Sequence, residues 1–268
     1  MTDPVRFPLA PDANEGAVAL VTGGGTGIGR ATALAFARSG ARVAICGRRP
    51  EPLEAARAAC EAAGAEVLVV EADVREPDQV QSLVDATLAR FGRIDVLVNN
   101  AGGQFVAAPE DISLKGWRAV HRLNVDAVWD LTRLVGERAF IPQRSGLVVF
   151  IGFSPRRGMP MMIHSSAARA ALENLAGGLA IEWSRYGIRA VTIACGLIDT
   201  EGLRGYGDEL VEQAVASVPL GRAGLPEEVG SLIAFLASPG GGYVTGSVVT
   251  VDGGADAWGI GMPPPPRA

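Results

Sequence analysis

AVALVTGGGTGIGR, residues 17–30, joins a short apolar, β-branched run to five glycines and the start of a helix-forming stretch near Arg30. Glycine lets a backbone turn sharply and come close to a ligand, and the free amides and dipole at a helix start favour an anion. A glycine-rich turn alone is ordinary strand-to-helix punctuation; in the first strand–helix unit of a chain it is also where a dinucleotide's pyrophosphate sits. Gly23, Gly25, Thr26, Gly27, Ile28 and Gly29 are therefore candidate cofactor contacts.

Working outward, six further runs of the same kind follow at 41–46, 66–71, 94–99, 146–151, 188–194 and 247–251, separated by helix-length stretches rich in Ala, Leu, Glu and Arg. Near-continuous apolar strands alternating with helices predict an α/β fold: a single-domain, doubly wound parallel sheet, Rossmann-like, of about seven strands with right-handed crossovers. The 268 residues, 48% hydrophobic and 20% charged, suit one large core. No repeat or linker divides the chain, so 1–268 reads as one dinucleotide-binding domain, with 1–14 and the proline-rich 260–268 expected to be poorly ordered.

A net charge of −5 offers no basic face to nucleic acid or anionic lipid. The chain has neither a run of roughly 18 apolar residues nor a signal-peptide pattern, and a cytoplasmic location is expected, with no membrane partner. Cys46, Cys60 and Cys195 match neither a disulfide framework nor a metal pair, so reduced thiols and no metal are expected.

The second strand ends in Cys46-Gly47-Arg48-Arg49. An acidic residue here would take both hydroxyls of an NAD ribose, whereas the planar fork of Arg48 or Arg49 suits a 2′-phosphate. NADPH (NADP+) is the expected cofactor; the alternative is a solvated charge cluster at a strand end.

Asp73-Val74 after the third strand, Asn99-Asn100-Ala101-Gly102 after the fourth, Asn124-Val125 in the next helix and Val251-Asp252-Gly253-Gly254 near the end complete a set of motifs in order. With them the chain resembles the short-chain dehydrogenase/reductase family over about residues 15–255. The resemblance implies that Asp73 and Val74 flank the adenine and that Asn100, Ala101 and Gly102 line the cofactor cleft. It further places Ile198 and Thr200 at the nicotinamide end, and implies a homotetramer.

The catalytic pattern departs from that family. Its usual tyrosine, lysine and serine fall at Ser165, Arg169 and Gly152. Residues 165 and 169 still share a helix face, but a serine hydroxyl does not titrate near neutrality, and Ser154 is the nearest serine to the vacated strand-end position. Only Lys115 among the 24 basic residues is lysine, so compositional drift accounts for Arg169 but not for the lost tyrosine. The segments 100–105, 113–117 and especially His164-Ser165-Ser166-Ala167-Ala168-Arg169 resemble the enoyl-CoA reductase branch, and Thr200-Glu201-Gly202-Leu203 is similar to the 2,4-dienoyl-CoA reductases.

That resemblance implies NADPH-dependent reduction of the C=C bond of an enoyl or dienoyl thioester, chemistry that needs hydrogen-bond donors at the thioester oxygen more than a strong acid. Arg169 is then expected to hold ribose and support developing charge, and Asn124 to donate toward the oxygen or orient a water. Ser165 is a weaker donor, and Tyr206, in the lid-like stretch 201–207, could supply a phenol on closure or simply pack there. His164 reads as a structural histidine, Cys195 as a buried filler, and Met159, Met161 and Met162 as gap-fillers or an acyl wall. Two other functions fit the same residues: a ketone or alkene reductase of specialised metabolism with a relocated acid, and a catalytically silent nucleotide-binding scaffold.

Overall fold

The computed structural model describes residues 7–154 and 159–258. All seven apolar runs are strands: β1 (Val18–Thr22), β2 (Arg42–Gly47), β3 (Val67–Glu71), β4 (Val96–Asn99), β5 (Gly146–Phe153), β6 (Ile188–Cys195) and β7 (Ser247–Val251). They form one parallel sheet in the order β3-β2-β1-β4-β5-β6-β7. The order reverses between β1 and β4, and at such a switch point the strand C-termini open a crevice.

Alternation along each strand feeds two cores. Ala19, Val21, Val43 and Ile45 pack beneath α1 (Gly27–Arg38), α2 (Pro50–Ala62) and a helix over Pro226–Ala237, through Phe36, Leu53 and Ile233. Val18, Leu20, Ala44 and Leu97 face the other way, onto α3 (Pro77–Phe91) and the later helices, through Leu83, Leu131 and Leu172. Burial on both faces is why these strands read as unbroken apolar runs.

The crossover from β4 to β5 is one long helical rod with two irregularities. α4 (Leu114–His121) runs into a π turn (Arg122–Asp126), α5 (Ala127–Val135), a second π turn (Gly136–Phe140) and α6 (Ile141–Gln143). Such turns release a carbonyl from the helical ladder and re-aim side chains, and they are common at functional sites. After β5 comes α7 (Ile163–Glu182), then past β6 the short α8 (Glu201–Arg204) and α9 (Asp208–Ala216). The Pro226–Ala237 helix is α10, and α11 (Ala255–Trp258) follows β7.

Part of the N-terminal stretch expected to be loose is packed instead. Asn14 is buried and donates to Ser39 Oγ (2.9 Å) and to the Ala234 carbonyl (3.1 Å), stapling the chain entry to α1 and α10. The other expected loose segments, 1–6 and 260–268, lie outside the described residues. Among the described residues no helix is long and apolar enough to cross a membrane.

Candidate functional site

At the switch point a cavity of about 290 Å³ is lined by the glycine loop, the ends of β2 and β3, and the loop after β4. It contains Gly23, Gly25, Thr26, Arg48, Arg49, Asp73, Val74, Ala101 and Gly102 of the expected cofactor residues. Close packing explains the glycines. A Cβ on Gly29 would lie 2.2 Å from the Gly23 carbonyl oxygen, and Gly23 itself has φ +63°. Helix α1 starts at Gly27, three residues before the expected point, and its N-cap Thr26 spends no side-chain bond on the helix end. The first amides of α1 are thus left for a ligand, beside the cavity.

Thr22, at the end of β1, ties this loop to the next. Its hydroxyl accepts from the backbone of Asn100 (3.0 Å) and Ala101 (2.9 Å), while Asn100 Nδ2 donates to the Thr22 carbonyl (2.8 Å). Asn100 therefore braces the floor from behind. Thr200 caps α8, accepting from Leu203 N (3.2 Å), and its methyl lies over Gly27, so the loop after β6 meets the glycine loop. Ile198 is buried and bridges Gly224.

Arg48 and Arg49 are exposed on the rim and form no ion pair among the described residues. Asp73 is engaged by Arg75 (2.5 Å), a partner that sequence reasoning missed and that a basic residue two positions on could have signalled. The Arg75 guanidinium, and more weakly Arg48, hold the Asp73 carboxyl at about 2, so it is ionised across the physiological range.

Deeper in the crevice stand Ser165 and Arg169, both buried on one face of α7 as the four-residue spacing predicts. Arg169 donates to the Ile151 carbonyl, its Nη2 presses on Gly102, and its Nε has no partner. A Cβ on Gly102 would meet Nη2 at 2.3 Å and Asn124 Oδ1 at 2.7 Å. The expected arginine and the expected cleft residue are thus in direct contact. Burial pulls the guanidinium down to about 10, which leaves it cationic at neutral pH.

Of the two roles expected of Asn124, the geometry bears on direct donation to a substrate oxygen. It is fully buried in the first π turn, where its amide donates to Val120 O and Gly103 O (both 2.8 Å) and its Oδ1 accepts from Gly103 N (3.3 Å). Both amide hydrogens are spent, so it clamps the 100–108 loop and has no donor to offer a substrate oxygen.

Ser165 instead donates to Gln104 Oε1 (3.1 Å). Gln104, missed as a site residue, comes from that clamped loop and lies over Ser165. With its oxygen accepting, its amide hydrogens remain to be used. The sequence signals were its place in a loop following a cleft motif and in the segment 100–105 that carries the resemblance to the enoyl-CoA reductase branch.

The remaining candidates are placed as follows. Ser154 is turned away, donating to Asp252 Oδ2 (2.5 Å), so it replaces no catalytic serine. A Cβ on Gly152 would lie 2.7 Å from the Thr192 methyl, so neighbouring β6 fills the space a serine would need. Tyr206 is half-buried between α8 and α9, and no hydrogen bond links its hydroxyl to Ser165 or Arg169. Cys195 is buried and its thiol is pushed up to about 12 by that burial, as a filler requires. His164 is fully buried with neither ring nitrogen bonded, which for a structural histidine leaves a cost of about 1–3 kcal/mol per group. Among the described residues no cluster of His, Cys, Asp or Glu could hold a metal.

The cradle closed to any Cβ, the open α1 amides, the rim arginines and the unpaired Arg169 Nε together fit a dinucleotide. Comparison with known proteins agrees. Residues 23–256 match a family model described as enoyl-(acyl carrier protein) reductase. The chain is 35% identical to peroxisomal 2,4-dienoyl-CoA reductase of Danio rerio, over 92% of this chain and 83% of that one. It is 34% identical to a probable 2,4-dienoyl-CoA reductase of Bacillus subtilis, over 88% and 94% of the two chains. Among solved structures, levodione reductase superposes with a TM-score of 0.87 at 33% identity, covering 91% of this chain and 98% of that one. A short-chain dehydrogenase from Bacillus anthracis superposes with a TM-score of 0.84 at 37% identity, covering 91% and 97%. Family and fold imply a nicotinamide dinucleotide cofactor, and with sheet order, cleft motifs and relatives in agreement, this chain belongs to the short-chain dehydrogenase/reductase family of oxidoreductases.

Proposed function

We propose that the protein reduces the activated C=C bond of an enoyl or dienoyl thioester with NADPH. The observation that carries this reading is the Ser165–Gln104 hydrogen bond beside Arg169: donors and a fixed cation gather where a titratable phenol would otherwise stand. Reduction of a conjugated thioester sends negative charge to the carbonyl oxygen, where preorganised donors and a cation are effective. Ketone reduction instead calls for an acid poised near neutral pH.

When bound, the reduced nicotinamide would supply hydride to the β-carbon of an enoyl thioester, or to the δ-carbon of a 2,4-dienoyl one, with solvent supplying the proton that carbon then takes up. The chain's own groups divide the remaining work. The glycine-loop and α1 amides bind pyrophosphate, and Arg48 and Arg49 take the 2′-phosphate; the one carboxylate lining the cavity, Asp73, is already paired with Arg75. Ala101 and Gly102 form the cleft wall, braced from behind by Asn100, with Ile198 and Thr200 beyond the glycine loop. Arg169 holds ribose hydroxyls through its free donors and stabilises the developing charge. Ser165 fixes the Gln104 carboxamide so that its N–H groups meet the thioester oxygen, and Asn124 fixes the loop that carries Gln104. The relatives named as dienoyl-CoA reductases support the substrate class. Exposed Trp129 and Ile181 on α5 and α7, with Phe235 on α10 and Tyr243 before edge strand β7, support subunit contacts in a homotetramer.

The test follows NADPH oxidation with a trans-2-enoyl-CoA, a 2,4-dienoyl-CoA and a 3-ketoacyl-CoA, using wild type, Arg169→Ala and Gln104→Leu. Turnover with the unsaturated thioesters, with kcat reduced by about 10²–10³ in Gln104→Leu, is expected. Turnover of the ketoacyl thioester alone, or none despite NADPH binding, overturns the reading.

A further inference from the structure

The loop that delivers Gln104 carries Phe105 next to it, and Phe105 is wedged between two helices. On one side its ring lies 4.2 Å from the His164 imidazole, tilted by 55°. On the other it meets α4 at Gly116, where a Cβ would lie 2.9 Å from the Phe105 ring. Consecutive loop residues therefore roof consecutive residues of α7: Gln104 on Ser165 and Phe105 on His164. Adjacent positions on a helix diverge by about 100°, so the two contacts grip the loop from different directions.

His164 is 0% exposed, and neither of its ring nitrogens has a hydrogen-bond partner. An uncharged imidazole tolerates this wedge as an aromatic surface. An imidazolium would not, because among the described residues no acceptor takes either N–H. The surroundings also oppose the charge. Helix α4 carries Lys115, Arg118 and His121, with Arg122 next to it in the π turn; α7 carries Arg169 and, a turn further on, Glu173; residues 99–108 carry no charged side chain at all. Arg156 and Arg157 lie outside the described residues. Burial, and then repulsion from His121, pulls the His164 ring below its ordinary value.

We propose that uncharged His164 is a positioning residue, holding the Gln104–Phe105 segment against α7 through its contact with Phe105, and that a proton on its ring releases that segment. The inference rests on the reading of Gln104 as the donor to substrate, but its physical core does not. Between the ordinary pKa of the ring in the open loop and its lowered pKa in the closed one, the open loop binds a proton that the closed loop refuses, so closure weakens as pH falls through that window.

Two measurements test it. In the wild-type protein, the His164 imidazole is titrated by NMR while amide hydrogen exchange is followed at residues 103–106, corrected for the intrinsic pH dependence of exchange. Protection of these amides is expected to drop as pH falls from the ordinary imidazole range toward the lowered pKa of the closed loop, by at most about tenfold per pH unit, and to level off below it. Protection that stays constant from neutral pH down through the whole His164 titration overturns the proposal, whether or not any thioester is turned over. In the second, His164→Phe, which keeps a ring under Phe105 and removes the proton, is compared with wild type in kcat and KM from about pH 8 to about pH 5.5. The wild-type kcat should fall on the acid side with KM little changed, and the variant should stay flat. An identical acid limb in both proteins overturns the proposal. Should His164→Phe not fold, the wild-type titration still decides. Absence of thioester turnover with intact pH-linked protection would remove the proposed function and leave this inference standing.

Discussion

A serine placed at position 152, where the family resemblance puts one, as Gly152→Ser, should destabilise the protein. The Cβ of any residue at 152 falls 2.7 Å from Thr192 Cγ2, about 1 Å inside ordinary carbon–carbon contact. Both residues are fully within the sheet, where β5 and β6 are hydrogen-bonded neighbours and cannot slide apart. Overpacking of this kind costs about 1–3 kcal/mol, a fall in Tm of order 5 °C for a chain of this size. Thr192→Ser removes the offending methyl, keeps the hydroxyl that reaches the Leu172 carbonyl, and should cost about 1 kcal/mol alone. Together the changes should be less than additive, with about 1–2 kcal/mol recovered as coupling. Thermal unfolding of the four proteins at one concentration without cofactor gives the cycle, and Gly152→Ala separates the Cβ from the hydroxyl. A stable Gly152→Ser variant, or strict additivity with Thr192→Ser, would refute the claim that β6 occupies the serine's place.

Other outcomes follow from the cleft and the core. Arg48→Ala should lower kcat/KM for NADPH at least about tenfold while leaving NADH nearly unchanged, because one charge-assisted contact to the 2′-phosphate is worth about 1.5–3 kcal/mol; an equal loss with both cofactors would remove Arg48 from that role. Cys46, Cys60 and Cys195, with thiols pushed up to about 12, about 11 and about 12, should resist an alkylating or disulfide reagent at mildly alkaline pH and react only on unfolding, which a thiol titration with and without denaturant measures. Asp73, held at about 2 by Arg75, contributes stability that is present above the ordinary carboxylate pKa and is lost as pH falls toward 2. Asp73→Asn should flatten the stability–pH curve in that acid window, and a curve parallel to wild type would show the ion pair to be energetically idle.

The fold was legible because burial on both sheet faces writes each strand as an unbroken apolar run, and all seven runs became strands. The α1 start was misjudged by three residues because the helix opens inside the glycine motif, where propensity argues against it. Nothing in the sequence announces a π turn, yet the turn at Arg122–Asp126 turns the Asn124 amide onto Val120 and Gly103 and away from a substrate. The same limit hid Gln104: its contact with Ser165 spans 61 positions and depends on how Asn124 sets the intervening loop. Ser165 and Arg169, by contrast, were readable as a pair, since a four-residue step on a helix fixes a common face without tertiary knowledge.

The buried charge of Arg169 gives the site its logic. A cation that has, among the described residues, one carbonyl and no carboxylate for a partner is poorly compensated, and its unpartnered Nε marks what is lacking. A lysine in that place could shed its proton under the same burial; the guanidinium, even when pulled down to about 10, keeps its charge at neutral pH. It therefore offers a fixed positive potential and donors in a plane, but no proton. Ser165 likewise offers a hydrogen bond without a proton that leaves near neutrality. On the proposed reading this combination fits a reaction whose charge settles on an oxygen already surrounded by donors, with carbon protonated afterwards. It is ill suited to one in which oxygen must itself be protonated as hydride arrives. Exchanging Arg169 for lysine would make the site cationic only while lysine resists the burial, so Arg169→Lys should lose activity toward neutral pH and recover it as pH falls. That is opposite in direction to the release of the Gln104 loop on protonation of His164. The two limbs are thus separable in one pH profile, and an Arg169→Lys enzyme with an unchanged profile would show that the permanence of the charge is irrelevant to turnover.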